Sequence, residues 1–373
     1  MTPEQARAVH HDTFVFDGHN DVAGPLQRGE SLDDRNGRGH LDLVRMRQGG
    51  LDGGIFAVFI DPDPACGDPL ERTREGVRHL RETLETHPDV RLILSAADAR
   101  AAGAAAREAG SEVAGGPGHE APIAALIGVE GGYAIDDDLT VADELFEAGV
   151  RCLTLTWNDP TTWADAAGPA GANSEPGPHG GLTAFGRKLV DRLQHLGILI
   201  DLSHASDDTA RDVLARAERP LVASHSGMRR LAPLPRNLPD ELLEAIAATG
   251  GLVGVSFFNG HLDADFEARC APLRERRFDD TEALARAVLA EVGTLPLSRL
   301  VDHVRHAAAV AGSDHVGLGS DFDGMWAPPA GLEDASQLPA LSAGLAEAGV
   351  FDERGLTAFL GANWTRVLAS ALP

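Results

Sequence analysis

Lysine is almost missing from this chain: Lys188 is the one residue among 32 basic ones that is not arginine. It falls in a segment with helical periodicity, which leaves no carboxylated lysine at a strand end to bridge a pair of metal ions. Basic charge is scarce altogether. Against 57 acidic residues it leaves a formal net charge of −25, a surface that repels phosphate backbones and anionic lipid and disfavours nucleic acid and membranes as partners. The abundance of Arg, Ala, Gly and Pro is the mark of a genome rich in G and C. Cysteine is also sparse. Cys66, Cys152 and Cys270 are far apart and form no CxxC pair, which argues against a disulfide framework and a cysteine zinc site. No run reaches the roughly 18 apolar residues of a membrane span. The opening MTPEQARAVHHD lacks the basic and apolar regions of a signal peptide, and the closing VLASALP is no lipid-anchor signal. The expected location is the cytoplasm.

What is present is an ordinary globular composition, 43% hydrophobic and 24% charged over 373 residues. Short apolar runs alternate with longer amphipathic or Ala-rich stretches, the pattern of repeated β-α units. Strands are predicted near 13–19, 54–59, 123–130, 152–157, 198–204, 221–225, 252–257 and 316–321. Helical patterns lie between them, from 70–86 through 184–195 to 352–363. Eight such units predict an α/β fold, a closed (β/α)8 TIM barrel in a single domain over 1–373. Two long loops are expected, 158–178 after the fourth strand and 259–280 after the seventh, where barrel enzymes build their sites.

The predicted strands end in polar and ionisable residues where a plain core would end in apolar ones. FVFDGHND finishes with His19 and Asp21, whose side chains leave an extended chain on the same face. IAALIGVEGG ends in Glu130, whose two oxygens can bridge two cations. ILIDLSHAS ends in His204, LVASHSG in His225, and VGLGSDFDG presents Asp321 and Asp323. Imidazole mixed with carboxylate suits zinc better than calcium or magnesium, which prefer oxygen alone. Two zinc ions per chain would leave room for a bridging hydroxide to act as nucleophile. Asp323 reads as a brace of the last strand's turn. His10, His11, His40, His179, His261 and His306 show no ligand spacing.

DGHND, GVEGG, LTLT, GLTAFGRKLVDRLQHLGILIDLSH, SHSGMRRLAPLPRNLPD and VGLGSDFDG together resemble the membrane-dipeptidase (renal dipeptidase) family, peptidase family M19 of the amidohydrolase-like barrels. The resemblance runs from about residue 13 to 363. It implies one zinc on His19 and Asp21, a second on His204 and His225, and Glu130 between them. It also implies that Asp321 transfers protons and that Arg236 grips the terminal carboxylate of a dipeptide substrate. The implied reaction is dipeptide hydrolysis, tolerant of a D-residue or glycine at the C-terminal position, and family analogy suggests a homodimer. Trp157 follows the LTLT run where the animal members carry a substrate-contacting His, with Asn158 beside it. Tyr133, just after GVEGG, is a second position where they carry His. All three are expected at the substrate. The alternatives are a lactonase or deacetylase on the same barrel, or a binding protein that has lost turnover.

Overall fold

A run such as Ile123–Glu130, buried at every position, has no polar face to offer solvent, which is the signature of a parallel strand covered on both sides. The computed structural model describes residues 1–33, 38–112, 121–168, 177–278 and 280–373 and builds a barrel from such runs. The strands are β1 (Phe16–Asn20), β2 (Gly53–Phe59), β3 (Val90–Leu92), β4 (Ile123–Glu130), β5 (Val150–Thr154), β6 (Leu199–Asp201), β7 (Val222–Ser226), β8 (Leu252–Val255) and β9 (Val316–Leu318). Every ladder is parallel, in the order β2-β1-β9-β8-β7-β6-β5-β4, and β2 pairs with β4 to close the ring. That closure runs in register from Gly53↔Ala124 to Phe59↔Glu130.

The eight barrel strands coincide with the predicted runs. β3 is an addition: it pairs with Ile123, Ala124 and Ala125, below the point where β5 takes over that edge of β4. Three residues are too few to set up a readable alternation. The excursion 259–280 is long, as expected, but it is mostly helix rather than loop, Asn259–Leu262 followed by Ala264–Arg274. In the other excursion, residues 169–176 lie outside the described residues.

The barrel is tight inside. A Cβ on Gly319, just after β9, would lie 2.0 Å from the carbonyl oxygen of Ser224 on β7, although β8 separates the two strands. Only glycine permits that approach. At the bottom, Trp364 of the helix Asn363–Ala371 is fully buried and donates its indole N–H to Leu318 O at 2.9 Å. Among the described residues, no helix is long and apolar enough to cross a membrane.

The N-terminal helix Pro3–His11 carries a buried hinge pin in His10. Its Nε2 lies 2.7 Å from Gly49 O and its Nδ1 2.8 Å from the Ser342 hydroxyl. Nε2 donates to the carbonyl, Nδ1 accepts, and the ring is neutral. Burial pushes its pKa down to about 4 from 6.5. The unfolded chain therefore takes up a proton first, so this stabilisation is complete above pH 6.5 and is lost as pH falls toward 4. Relative to His10→Gln, the wild type should lose about 3 kcal/mol of urea-unfolding free energy between pH 7 and pH 4. A difference that stays constant with pH would refute the neutral pin.

Candidate active site

The residues at the C-terminal ends of the strands meet in one buried pocket, because parallel strands closed in a ring deliver all those ends to one rim. Glu130 sits in the middle. Its Oε2 lies 3.6 Å from His19 Nε2, and its Oε1 lies 3.1 Å from His204 Nε2 and 3.5 Å from His225 Nε2. His19 Nε2 is also 3.4 Å from Asp21 Oδ2. The Nε2 atoms of His204 and His225 are 3.1 Å apart, and the rings of His19 and His225 stack with centroids 3.9 Å apart. Each oxygen of one carboxylate thus faces a different set of ligand-type side chains.

Two further carboxylates hold these strand ends, and neither stood out in the sequence. Asp201 accepts from the Thr154 and Ser224 hydroxyls, both at 2.6 Å, and from the backbone N–H groups of Ser203 and Ser224. Because the Ser224 hydroxyl is committed to Asp201, it accepts from His225 Nδ1 at 2.9 Å, which leaves the Nε2 lone pair directed at the pocket. Asp17 ties β1 to β9 in the same way, through the hydroxyl and N–H of Ser320 at 2.6 and 2.7 Å. Asn158 Oδ1 lies 3.2 Å from His204 Nδ1, fixing that ring in the matching tautomer. Such outer hydrogen bonds orient metal-ligating imidazoles.

Backbone strain marks the same place. His204 and Asp321 adopt φ of 66° and 64°, a left-handed conformation that costs non-glycine residues roughly 1–2 kcal/mol. Gly324 completes the turn, since a Cβ there would stand 2.1 Å from Asp21 Oδ2 and 2.6 Å from Asp321 Oδ1.

The pocket's electrostatics call for positive charge. Burial raises the carboxyl of Asp321 well above its ordinary value; His19 opposes this, while Asp21 and Glu130 add to it. Burial likewise lifts Asp21 to about 6. Burial also holds His204 and His225 below the usual imidazole range, to about 4 for His204. At His19 burial works the same way, but Glu130 and Asp21 outweigh it and raise the ring. The buried atoms His19 Nε2 and Asp21 Oδ1 have no hydrogen-bond partner. Two overlapping groups, His19–Glu130–His225 and His19–Asp21–Asp321, have donor atoms within 4.8 Å of one another. Crowded carboxylates, the neutral rings of His204 and His225 and orphaned buried atoms fit divalent metal binding, and the N/O donor set suits zinc.

A cleft of about 670 Å³ opens onto this pocket, bounded by Asp21, Glu130, His204 and Asp321 below and by Phe59, Trp157, Asn158, Phe258, His261 and Trp326 on its walls. That size suits a small ligand. Trp157 packs edge-on against Phe59 at 4.8 Å. His261 shows no ligand spacing in the sequence, yet it lines the cleft. Its Nδ1 lies 2.9 Å from the Ser256 hydroxyl. Tyr133 stands differently from its expected place at the substrate. Its hydroxyl donates to Asp159 O at 2.7 Å and accepts from Trp157 N–H at 3.1 Å, so it fixes the segment carrying Trp157 and Asn158 rather than lining the cleft. Arg236 is buried against β7, donating to His225 O at 2.7 Å and to the Ser226 hydroxyl at 2.9 Å, with Nε unpaired. Burial lowers its guanidinium to about 10, so it stays a cation at neutral pH. Asp323 accepts from the His40 backbone N–H and braces the turn after β9.

Fold and pocket together define the kind of barrel on which metal-dependent hydrolases are built. The match to the model of the membrane dipeptidase family, peptidase family M19, covers residues 3–372, and the chain belongs to that family. It is 32% identical to mouse (Mus musculus) Dipeptidase 3 over 98% of its own length, and spans 66% of that relative's length. Among solved structures it is similar to a family M19 metallopeptidase, dipeptidase AC, with TM-score 0.79 and 29% identity over 96% of this chain and 98% of that one. It is also similar to a metallopeptidase from Rhodobacter sphaeroides liganded with a phosphinate mimic of the dipeptide L-Ala-D-Ala, with TM-score 0.78 and 28% identity over 96% and 99% of the two chains.

Glu130→Gln replaces one of the two facing oxygens by an N–H2 group that cannot ligate. Bound metal measured on the purified variant should fall to about half the wild-type loading or less, with the far-UV circular dichroism unchanged. Full loading of the variant would show that the carboxylate is not shared.

Proposed function

We propose that this chain is a metal-dependent dipeptidase. Two divalent ions, zinc by donor set, would be held by His19 and Asp21 on one side of Glu130 and by His204 and His225 on the other, within one domain over 1–373. The observation that carries the reading is the division of Glu130, one oxygen to each imidazole group. When bound, such ions lower the pKa of water and polarise a carbonyl.

The chain's own groups then account for the rest. The Asp321 carboxylate accepts the proton of the attacking water and delivers it to the leaving amine, a transfer favoured by its buried place beside His19 and Asp21. Arg236 offers its free Nε edge to the substrate's terminal carboxylate while its other N–H groups stay anchored to β7. Because the guanidinium is anchored to β7 beside His225, it would limit the substrate to two residues. Trp157, against Phe59, walls the cleft with an indole that can donate one hydrogen bond but cannot act as an acid. Asn158 keeps the His204 ring in its tautomer, and Tyr133 holds both residues in place. Tolerance of a D-residue or glycine at the C-terminal position is supported by the L-Ala-D-Ala mimic bound to the Rhodobacter sphaeroides relative.

Asp321→Asn should keep its metal and fold while kcat for L-Ala-D-Ala falls by about 10²–10⁴; unchanged turnover would remove Asp321 from proton transfer. C-terminal amidation of the dipeptide should raise KM sharply for the wild type. It should matter far less for Arg236→Lys, which keeps the charge but loses the fork. An equal amidation penalty in both proteins would refute the carboxylate grip.

A further inference from the structure

Away from the ligand-type side chains, the cleft is lined by three arginines, Arg28, Arg72 and Arg274, in a chain whose net charge is −25. Two of them are neutralised within the protein. Arg28 pairs with Glu30 at 3.3 Å, and Arg274 with the buried carboxylate of Glu267. Arg72 differs. It is half-buried and donates from Nη1 to Asp61 O at 2.7 Å, and no carboxylate pairs with it among the described residues. One backbone carbonyl occupies a single N–H of the guanidinium, and the side chain lines both the cleft and a smaller hollow beside it.

The strand order says which part of a substrate would meet it. Arg72 is tethered to the segment just beyond β2, and Arg236 is tethered to β7. In the closed ring these two strands lie four apart in either direction, on opposite sides of the barrel mouth. A dipeptide whose terminal carboxylate lies at Arg236 points its N-terminal residue toward β2. A guanidinium there repels the substrate's own ammonium group and attracts a side-chain carboxylate, which it can take by two parallel hydrogen bonds. Phe59 and Trp157 stand on the same side and can cover the methylene groups of that side chain.

We infer that Arg72 is a specificity residue selecting dipeptides whose N-terminal residue carries an acidic side chain. This rests on the dipeptidase reading and on the placement of the terminal carboxylate at Arg236. The overall field of so acidic a protein disfavours such substrates, so an unneutralised cation inside the cleft has a selective effect that a compensated one would not.

The test compares kcat/KM for L-Glu-L-Ala, L-Gln-L-Ala, L-Lys-L-Ala, L-Ala-L-Ala and L-Ala-L-Glu on the full-length protein purified with added zinc. Glu-Ala should exceed its isostere Gln-Ala by about tenfold, mainly through KM, as one charge-assisted pair allows. Arg72→Gln should bring that ratio close to one, and Arg72→Glu should shift the preference to Lys-Ala. The inference is overturned if the wild type hydrolyses Ala-Ala yet treats Glu-Ala and Gln-Ala alike, or if the ratio survives Arg72→Gln. A preference for Ala-Glu that disappears in Arg72→Gln would overturn the assigned direction of the substrate. Failure to hydrolyse any of the five peptides would instead refute the dipeptidase reading on which the inference stands.

Discussion

The sharing of Glu130 between two imidazole groups depends on where β4 ends, and β4 ends where the barrel closes. Glu130 is the last residue of the β2–β4 ladder, opposite Phe59, and it also pairs with Thr154 of β5. Thr154 pairs with Asp201, and Asp201 with Val222. A single row of register therefore runs from the cleft wall through the shared carboxylate to the strand that carries His225. A slip of one residue anywhere along it would turn the ligand-type side chains away from the pocket.

That row is locked by side chains as well as by the ladder. Asp201 binds groups from β5, β7 and the segment after β6, and Asp17 does the same for β1 and β9. A buried carboxylate is costly unless its oxygens are fully used, and here the hydroxyls of Thr154, Ser224 and Ser320 use them. The same hydrogen bonds that offset the burial also choose the tautomer of His225. Packing and site chemistry are one arrangement at this rim, which is why the pocket can be tight without being left to chance.

Much of this could be read in the sequence because parallel strands advertise themselves as apolar runs, and a polar residue ending such a run has few structural reasons to be there. His19, Asp21, Glu130, His204, His225 and Asp321 all stand at such ends. What escaped depended on features without periodicity. β3 is only three residues long. The helix Ala264–Arg274 contains Pro272 and mixed charge, which hid it, although Asp263 caps it through Phe266 N–H. The N-terminal helix did carry a signal, the reciprocal pair of Thr2 and Gln5. Asp17 and Asp201 looked like ordinary strand residues, and their partners lie on other strands. Tyr133 stands next to GVEGG in the sequence, whereas its hydroxyl answers to a loop more than twenty residues away. His261 and Arg72 reach the cleft from helices whose direction no local pattern sets.

The left-handed backbone at His204 and Asp321 bears on how such a site tolerates change. Asparagine and aspartate enter that conformation more readily than other side chains that carry a Cβ. An alanine scan across this rim would therefore record two effects at once, a missing functional group and a backbone made harder to hold, and would exaggerate the chemical importance of these two positions relative to His19 or His225. For the same reason, sequences drifting at position 321 have a narrow exit: asparagine and glycine keep the turn, while a β-branched residue would have to rebuild it.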